Sequence, residues 1–462
     1  MTSTTLFSDL VFPAATWYEK YDLSSTDMHP FVHSFNPAIQ PPWQAKSDFA
    51  TFQLLVEKFS ELARTHLGTR TDLILAPLQH DTPDELAVPR GVVKDWRHGE
   101  CDPVPGRTMP KMIEVERDYP AVAEKWAAIG PLAESLGLPV KGINVKPTEE
   151  VEVLKGRNGT VRGGVADGRP SLARDVDVCE AILAFSGTTN GRIATEGWTQ
   201  YEKRTGRRLA DLSEDEAGKR ITFRDTQIAP QSVITSPEWS GSEHGGRRYS
   251  AFVVNVERLK PWHTLTGRMQ FYIDHDWLME TGESLPVYRP PLNMNLLYGE
   301  PRLGEPGEDG LGLTVRFLTP HNKWSIHSEY QDNLLMLSLA RGGQAIWMSD
   351  KDAAKLGIAD NDWIEAVNRN GVLVSRAIVS SRMPEGTVYM HHAQDRTVDV
   401  PLAEASGKRG GIHNSATRIL FKPSHVAGGY AQISWAFNYY GPTGNQRDEV
   451  TVIRRRSQEV QY

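Results

Sequence analysis

Cysteine is nearly absent from the chain: two in 462 residues, Cys101 and Cys179, far apart in sequence. So few thiols exclude a CxxC-type zinc or iron–sulfur site and the disulfide framework of small secreted domains, and they fit a reducing compartment. Long apolar runs are also lacking. No stretch approaches the roughly 20 apolar residues of a membrane-spanning helix. Residues 1–10 lack the cationic start and apolar stretch of a signal peptide, so a role at a membrane would need another subunit to hold the chain there. Cationic excess is lacking too: the net charge of −7 leaves no footprint for nucleic acid. Recognisable short motifs are scarce. The glycines within 155–170 do not follow the phosphate-loop order, and no strand leads into them, so that stretch reads as a flexible linker. Asp27, His29 and His33 are acceptable metal-ligand types, but their spacing matches no defined site.

What is present describes a soluble globular protein, with 39% apolar and 24% charged residues. The length predicts two or three domains, and twelve tryptophans predict buried or ligand-facing indoles with N–H partners. Leu10-Val11-Phe12, stopped by Pro13, reads as a buried strand. A buried strand needs neighbours on both sides, so the chain is expected to start inside a larger fold. Residues 47–67 read as a helix capped by Ser47 or Asp48, with apolar positions Phe52, Leu55, Val56, Phe59, Leu62 and Ala63, ending at Gly68. Residues 76–118 read as irregular surface. Helical stretches follow at 121–136, broken at Gly130-Pro131, at 176–183 and near 195–201. A turn at 240–247 marks a domain boundary near 240–250. Beyond it, short apolar runs at 251–256 and 269–273 have a β texture.

Residues 315–391 are the most legible. Strands are predicted at 315–318, 345–348, 363–367, 372–380 and 387–391. Ser349 caps a short helix over 350–356 that leaves through Gly357. Asn370-Gly371 favours a hairpin, and the returning strand alternates around Val374, Ala377 and Val379. Short strands, tight turns and one small helix argue for a compact β-barrel rather than a parallel sheet.

Residues 319–333 gather His321, Lys323, Trp324, His327 and several hydroxyls or amides, just before the apolar run 334–339. Two readings compete. Such a loop, opening onto a buried segment, could hold a large polar ligand, or it is a solvated connection whose histidines satisfy local carbonyls. From Arg396 to Asn445 regular pattern gives way to loops, and in and beside them stand His391, His392, Arg396, His413, Asn414, Arg447 and many glycines. Glycine permits close backbone approach, and arginine and amide groups suit phosphate and purine edges.

These residues are where a resemblance enters. The barrel unit, with Ser349-Asp350-Lys351-Asp352 opening its helix and Asp360-Asn361-Asp362-Trp363 its hairpin, resembles the dinucleotide-binding barrel of molybdopterin oxidoreductases. Residues 9–20 resemble that family's cofactor-facing strand and loop. Segments 318–328, 409–415 and 437–441, Met28-His29-Pro30, and Gly267-Arg268 leading to Asp274-His275 are similar to the alpha subunits of respiratory nitrate reductases. The resemblance runs from residue 1 to about 455.

The resemblance implies an α+β fold: part of an α/β molybdopterin-oxidoreductase domain with helical insertions, then a double-psi β-barrel of the aspartate-decarboxylase-like kind. The implied division is 1–48, an insertion at 49–245, and the dinucleotide-binding barrel at 246–462. It implies reduction of nitrate to nitrite, with quinol-derived electrons, at molybdenum bis-(molybdopterin guanine dinucleotide). His321 and His327 would lie beside the pterin, and Trp324, Ser328, Asn333, His413, Asn414 and Arg447 on or near the dinucleotides. No residue here is expected as a direct catalyst or metal ligand. The family's molybdenum-ligating aspartate and its 4Fe-4S ligands belong to the N-terminal part of the subunit, so this chain is expected to be the C-terminal portion. Its implied partners are that N-terminal part, an iron–sulfur beta subunit and a haem-containing membrane subunit, which would hold it on the cytoplasmic face of the membrane. No nucleic acid is implied.

Overall fold

The computed structural model describes residues 8–26, 29–76, 96–105, 111–140, 143–234, 302–307, 310–327, 344–368, 370–392, 411–419 and 450–460, with short pieces and single positions elsewhere. Two units cluster separately: Phe12–Ile273 with Ala427–Gly441, and Met1–Val11 with Asp274–Val426 and Pro442–Tyr462.

The first unit opens with β1 (Asp22–Thr26) antiparallel to β2 (His29–Phe35). The run Leu10-Val11-Phe12, expected as a buried strand, is exposed and outside any strand. Three apolar residues before a proline are too few to build a ladder, and Ala14 makes only an isolated bridge to Lys46. Helix α1 (Asp48–His66) begins at Ser47, whose side chain accepts from the Ala50 amide, and ends before Gly68 at φ 62°. The region expected to be irregular instead begins and ends in an antiparallel pair, β3 (Thr69–Ala76) and β4 (Lys111–Asp118). Its β-branched residues are interleaved with charges, which hides a two-stranded ribbon from a search for apolar runs. Helices α2 (Val122–Trp126) and α3 (Leu132–Leu136) are separated at Gly130-Pro131, as predicted.

The hairpin of β5 (Leu138–Val140) and β6 (Ile143–Val145) packs on a core of Ile193, Trp198, Tyr201, Leu209 and Leu212. Helix α4 (Thr148–Asn158) leads into the glycine-rich stretch. That stretch is a tied loop rather than a linker. Val161 and Gly168 sit in a closed ladder, with Gly168 N donating to Val161 O at 2.9 Å, and the Arg169 guanidinium clamps the carbonyls of Ile129 and Gly130 at 2.9 Å each. The positive φ of Gly163 and Gly168 serves these turns. Helix α5 (Asp175–Phe185) and helix α6 (Gly191–Thr205) follow, the latter capped by the Asn190 side chain and closed by left-handed Gly206. Helix α7 (Phe223–Ile228) carries a Thr222/Asp225 capping box. Val32, Cys179, Leu183, Ile221, Phe223 and Val233 form a second core there, and β7 (Gln231–Ser232) adds to β2. Two-residue strands β8 (Glu243–His244) and β9 (Arg247–Arg248) pair. The β texture expected at 251–256 is a short helix, α8 (Val253–Val256), because a four-residue apolar run has no readable period. The 269–273 run lies mostly outside the described residues.

The second unit is built on a closed six-stranded barrel in the order β10-β14-β11-β13-β12-β17. The strands are β10 (Gly312–Leu318), β11 (Ala345–Ser349), β12 (Trp363–Asn368), β13 (Gly371–Ser380), β14 (Thr387–Met390) and β17 (Val450–Arg455). Alternate side chains fill it: Leu313, Val315 and Phe317, Ile346 and Met348, Ile364 and Ala366, Val388 and Met390, with Ile453. On β13 the inward set includes Leu373 and Ala377. Val374, expected to share the face of Ala377, packs instead with Trp363, Val372 and Val460, because odd spacing puts the two on opposite faces. The run 334–339, expected to be buried, is a short helix, α9 (Leu334–Leu339), whose Leu334, Leu335 and Leu339 are exposed.

Helix α10 (Asp350–Lys355) is capped by Ser349, and Gly357 at φ 60° releases the chain, as predicted. Asp352 is fully buried; its Oδ2 accepts from Gly386 N at 2.6 Å and its Oδ1 from Lys355 Nζ at 3.0 Å, pinning α10 to the turn before β14. The pairs β15 (Arg418–Ile419) and β16 (Asn445–Gln446) complete the described strands. Among the described residues no helix is long and apolar enough to cross a membrane.

Candidate functional site

Strand pairing decides which loops meet. β10 and β14 are parallel, with Leu318 opposite Tyr389, so both chains leave the barrel at the same end. β11 runs antiparallel to β14 and begins there, with Ile346 opposite Met390. β17 runs antiparallel to β10, with Val450 opposite Arg316, and also begins there. One barrel end therefore gathers residues 319–327 after β10, His391-His392 after β14, Gln344 before β11, and the start of β17 at Val450.

Four imidazoles meet at this end. The His321 ring lies 4.2 Å from that of His392 and 5.7 Å from that of His327, centroid to centroid. His413 stands edge-on to His392 at 5.8 Å. His392 is buried and anchors the group: its backbone N–H donates to Pro320 O at 3.2 Å and its Nδ1 reaches the same carbonyl at 3.3 Å. Its Nε2 lies 2.9 Å from His327 Nδ1. A carbonyl only accepts, so His392 Nδ1 carries a proton, and one further proton lies between the two rings. That contact holds at most one positive charge. His327 is itself held at φ 53°, a left-handed conformation uncommon outside glycine, so the loop is shaped to present its ring.

The loops that carry the imidazoles also carry polar atoms without partners. Thr319 Oγ1, Ser325 Oγ and His391 Nδ1 are buried and make no hydrogen bond. Burial holds the His391 pKa below its ordinary value and His392 lowers it further, while the carbonyls of His321 and Pro320 oppose the shift. Buried orphan groups are costly and uncommon in native folds. Three in the loops that carry the imidazoles suit a hydrogen-bonding ligand. Trp324 is half-buried, with Lys323 Nζ 4.8 Å from its ring centroid.

The segment 411–417 is fastened to the same end. Gln344 Nε2 donates to Gly411 O at 2.5 Å, and Asn368 Nδ2 to Ala416 O at 2.8 Å and Thr451 Oγ1 at 3.0 Å. Gly411 has φ 79°, and a Cβ there would lie 2.7 Å from Leu373 Cα, so only glycine lets this segment approach β13. The 3-10 turn His413–Ala416 then buries His413 and leaves Asn414 exposed.

Of the residues singled out in the sequence, His321, His327 and His413 are thus brought together. Trp324 lies in the same loop as the first two, and Asn414 beside His413. Ser328, Asn333 and Arg447 lie outside the described residues. Sequence reasoning noted His392 only as one loop donor among many and gave no role to Thr319 or Ser325. The signal that would have found them is the parallel pairing of β10 with β14, which no local pattern carries. Among the described residues no group of three or more His, Cys, Asp or Glu side chains is arranged to hold a metal ion.

Comparisons with known proteins agree along the chain. Residues 1–58 match the molybdopterin oxidoreductase family, 136–257 match nitrate reductase alpha chain domain V, and 315–434 match the molybdopterin dinucleotide-binding domain. The chain is 62% identical over its whole length to the nitrate reductase alpha subunit of Mycobacterium tuberculosis. It is 48% identical to the nitrate reductase alpha chain of Bacillus subtilis over 100% of its length, and 47% identical to the respiratory nitrate reductase 1 alpha chain of Escherichia coli over 98%. It spans 37%, 37% and 36% of those three relatives. The chain is thus a homologue of the nitrate reductase alpha subunits along its whole length, and corresponds to a little over a third of one.

Proposed function

We propose that this chain is the dinucleotide-binding part of the catalytic subunit of a respiratory nitrate reductase, in which nitrate is reduced to nitrite with quinol-derived electrons. The observation that carries this reading is the barrel end that brings four imidazoles together, in loops that also carry three unpartnered buried polar atoms, in a chain homologous throughout to nitrate reductase alpha subunits. A pterin presents ring N–H, ring nitrogen and carbonyl edges. Neutral imidazoles and hydroxyls can donate to or accept from each of these, so the donor set fits molybdenum bis-(molybdopterin guanine dinucleotide). We assign His321 and His327 to the pterin. Trp324, Ser328, Asn333, His413, Asn414 and Arg447 are assigned to the dinucleotides.

When bound, that group supplies Lewis-acid activation of a nitrate oxygen and two-electron chemistry. This chain's residues hold and orient it. The His327–His392 contact can pass a proton along the cluster while carrying no more than one charge. The mixture of parallel and antiparallel pairs in a closed six-stranded barrel supports the double-psi topology. We divide the chain at 1–48, 49–245 and 246–462. The molybdenum-ligating carboxylate and the 4Fe-4S ligands are assigned to polypeptide outside this chain. An iron–sulfur beta subunit and a haem-containing membrane subunit complete the complex on the cytoplasmic face of the membrane.

The test is co-expression of the full chain with polypeptide for the rest of an alpha subunit, in a host that makes the molybdenum cofactor. Metal analysis and nitrate reduction with a reduced viologen then read the outcome. A molybdenum-bearing, nitrate-reducing complex is expected. Material that assembles but is molybdenum-free and inactive, or that turns over another oxyanion in preference, would overturn the reading.

A further inference from the structure

Helix α1 has an apolar face wider than its packing. At 3.6 residues per turn, Phe49, Val56, Ser60 and Ala63 share one stripe, and Phe52, Leu55, Phe59 and Leu62 the stripe beside it. The first stripe is covered: Ser60 and Ala63 are buried, and Phe49 stacks on Trp126 at 5.8 Å. The second is open, with Phe52 54%, Leu55 40%, Phe59 39% and Leu62 48% exposed. Phe52 pairs with Trp126 and Phe59 with Tyr119, with centroids 6.2 Å apart in each pair, and both phenylalanines stay exposed. The opposite side of the helix is an ordinary solvated face, where Lys58 and Glu61 pair at 2.8 Å. Four residues before the N-cap, Trp43 is held at φ 50° with its side chain 95% exposed. That is a conformation L-residues rarely adopt, here without burial in return.

An open stripe of four large apolar side chains is uncommon on a finished surface. What covers it is indicated by the extent of the homology. The molybdopterin oxidoreductase match covers residues 1–58 and stops inside α1, so the open stripe runs across its limit. The homologous alpha subunits, meanwhile, extend to nearly three times the matched length. We propose that the open stripe of α1, with Trp43, is a docking surface for the remainder of the molybdopterin oxidoreductase domain, carried on polypeptide homologous to the two thirds of the alpha subunit outside this match. The inference rests on the reading of the chain as part of an alpha subunit and is independent of cofactor binding.

The test co-expresses the full chain with the part of the Mycobacterium tuberculosis alpha subunit that lies outside the match. Co-purified stoichiometry and hydrogen exchange across 48–66 are measured. The L55E/F59E double variant is expected to lower partner recovery by about tenfold or more, and partner binding is expected to slow exchange across the helix in the wild type. L54E, exposed on the polar side of the same helix, is expected to assemble as wild type. Circular dichroism melts of each variant alone, superimposable on the wild type, show that the fold is intact. Undiminished assembly of L55E/F59E would overturn the proposal, as would equal disruption by L54E or sedimentation showing that the stripe joins two copies of this chain. A wild-type complex that forms without molybdenum would count against the cofactor reading and support the docking surface.

Discussion

Replacing Asp352 tests whether the barrel end is held by the far side of the barrel. Asp352 is fully buried and its two oxygens have different tasks, one on Gly386 N at 2.6 Å and one on Lys355 Nζ at 3.0 Å. In D352A the lysine keeps two partners, Gly304 O at 2.8 Å and Glu385 Oε2 at 2.9 Å. The Gly386 amide has no substitute. A stranded buried donor together with a lost charge-assisted bond costs about 2–4 kcal/mol. At a factor of ten per 1.4 kcal/mol, amide exchange across residues 387–392 and 312–318 should quicken by about 30-fold to several hundredfold. Hydrogen exchange read by mass spectrometry is the suitable assay, because a chain with two compact units does not license a single two-state melt. D352N keeps an acceptor for Gly386 and should lose much less. E385A, which removes the exposed carboxylate on the same lysine, should change exchange by about twofold at most. Equal effects of D352A and E385A would refute the argument that burial, and not the ion pair, carries the stabilisation.

Replacing His321 or His327 with alanine in the assembled enzyme should shift the molybdenum midpoint potential in a redox titration; unchanged potentials for both would sink their assignment to the pterin. His391 has its folded pKa held below the unfolded value by burial. Its contribution to stability is therefore full above the ordinary histidine pKa of about 6.5 and lost as pH falls through the folded value. Exchange across 387–392 should quicken below that pH, and H391F should flatten the dependence. Cys179 is pushed up to about 12, by burial first and then by the charges of Asp22, Asp175 and Glu180. It should resist iodoacetamide at pH 8 in the native protein while half-buried Cys101 reacts, as peptide mass mapping would show. G411A forces a Cβ into Leu373 at a left-handed position, at a cost of about 1–3 kcal/mol. It should loosen 411–417 and lower molybdenum retention, and wild-type retention would contradict the tight approach.

The barrel was readable because its signals are local. Ser349 as a cap, Gly357 as an exit, the hairpin between β12 and β13 and two-residue alternation along β10 and β12 each need only a few neighbours. Where the reading failed, the deciding partner was distant. The 155–170 glycines read as a linker until Arg169 was seen to clamp Ile129 and Gly130. Leu334, Leu335 and Leu339 read as buried, but hydrophobicity alone does not say what lies opposite. Val374 was put on the wrong face because an apolar strand buried on both sides loses its alternation.

The sequence by itself determined the strands and the capped helix between 345 and 391, the barrel character of that unit and the likeness to nitrate reductase alpha subunits, and it singled out His321 and His327 as candidates. Each of these follows from residue chemistry at short range or from a motif carried intact along the chain. Only the tertiary structure decided that His392 is the buried hub of the imidazole cluster, that Thr319, Ser325 and His391 leave orphaned atoms in the same loops, and that half of α1's apolar face lies open. Those facts depend on which strands run parallel and on which surfaces find a partner, and both are settled by contacts between residues dozens of positions apart.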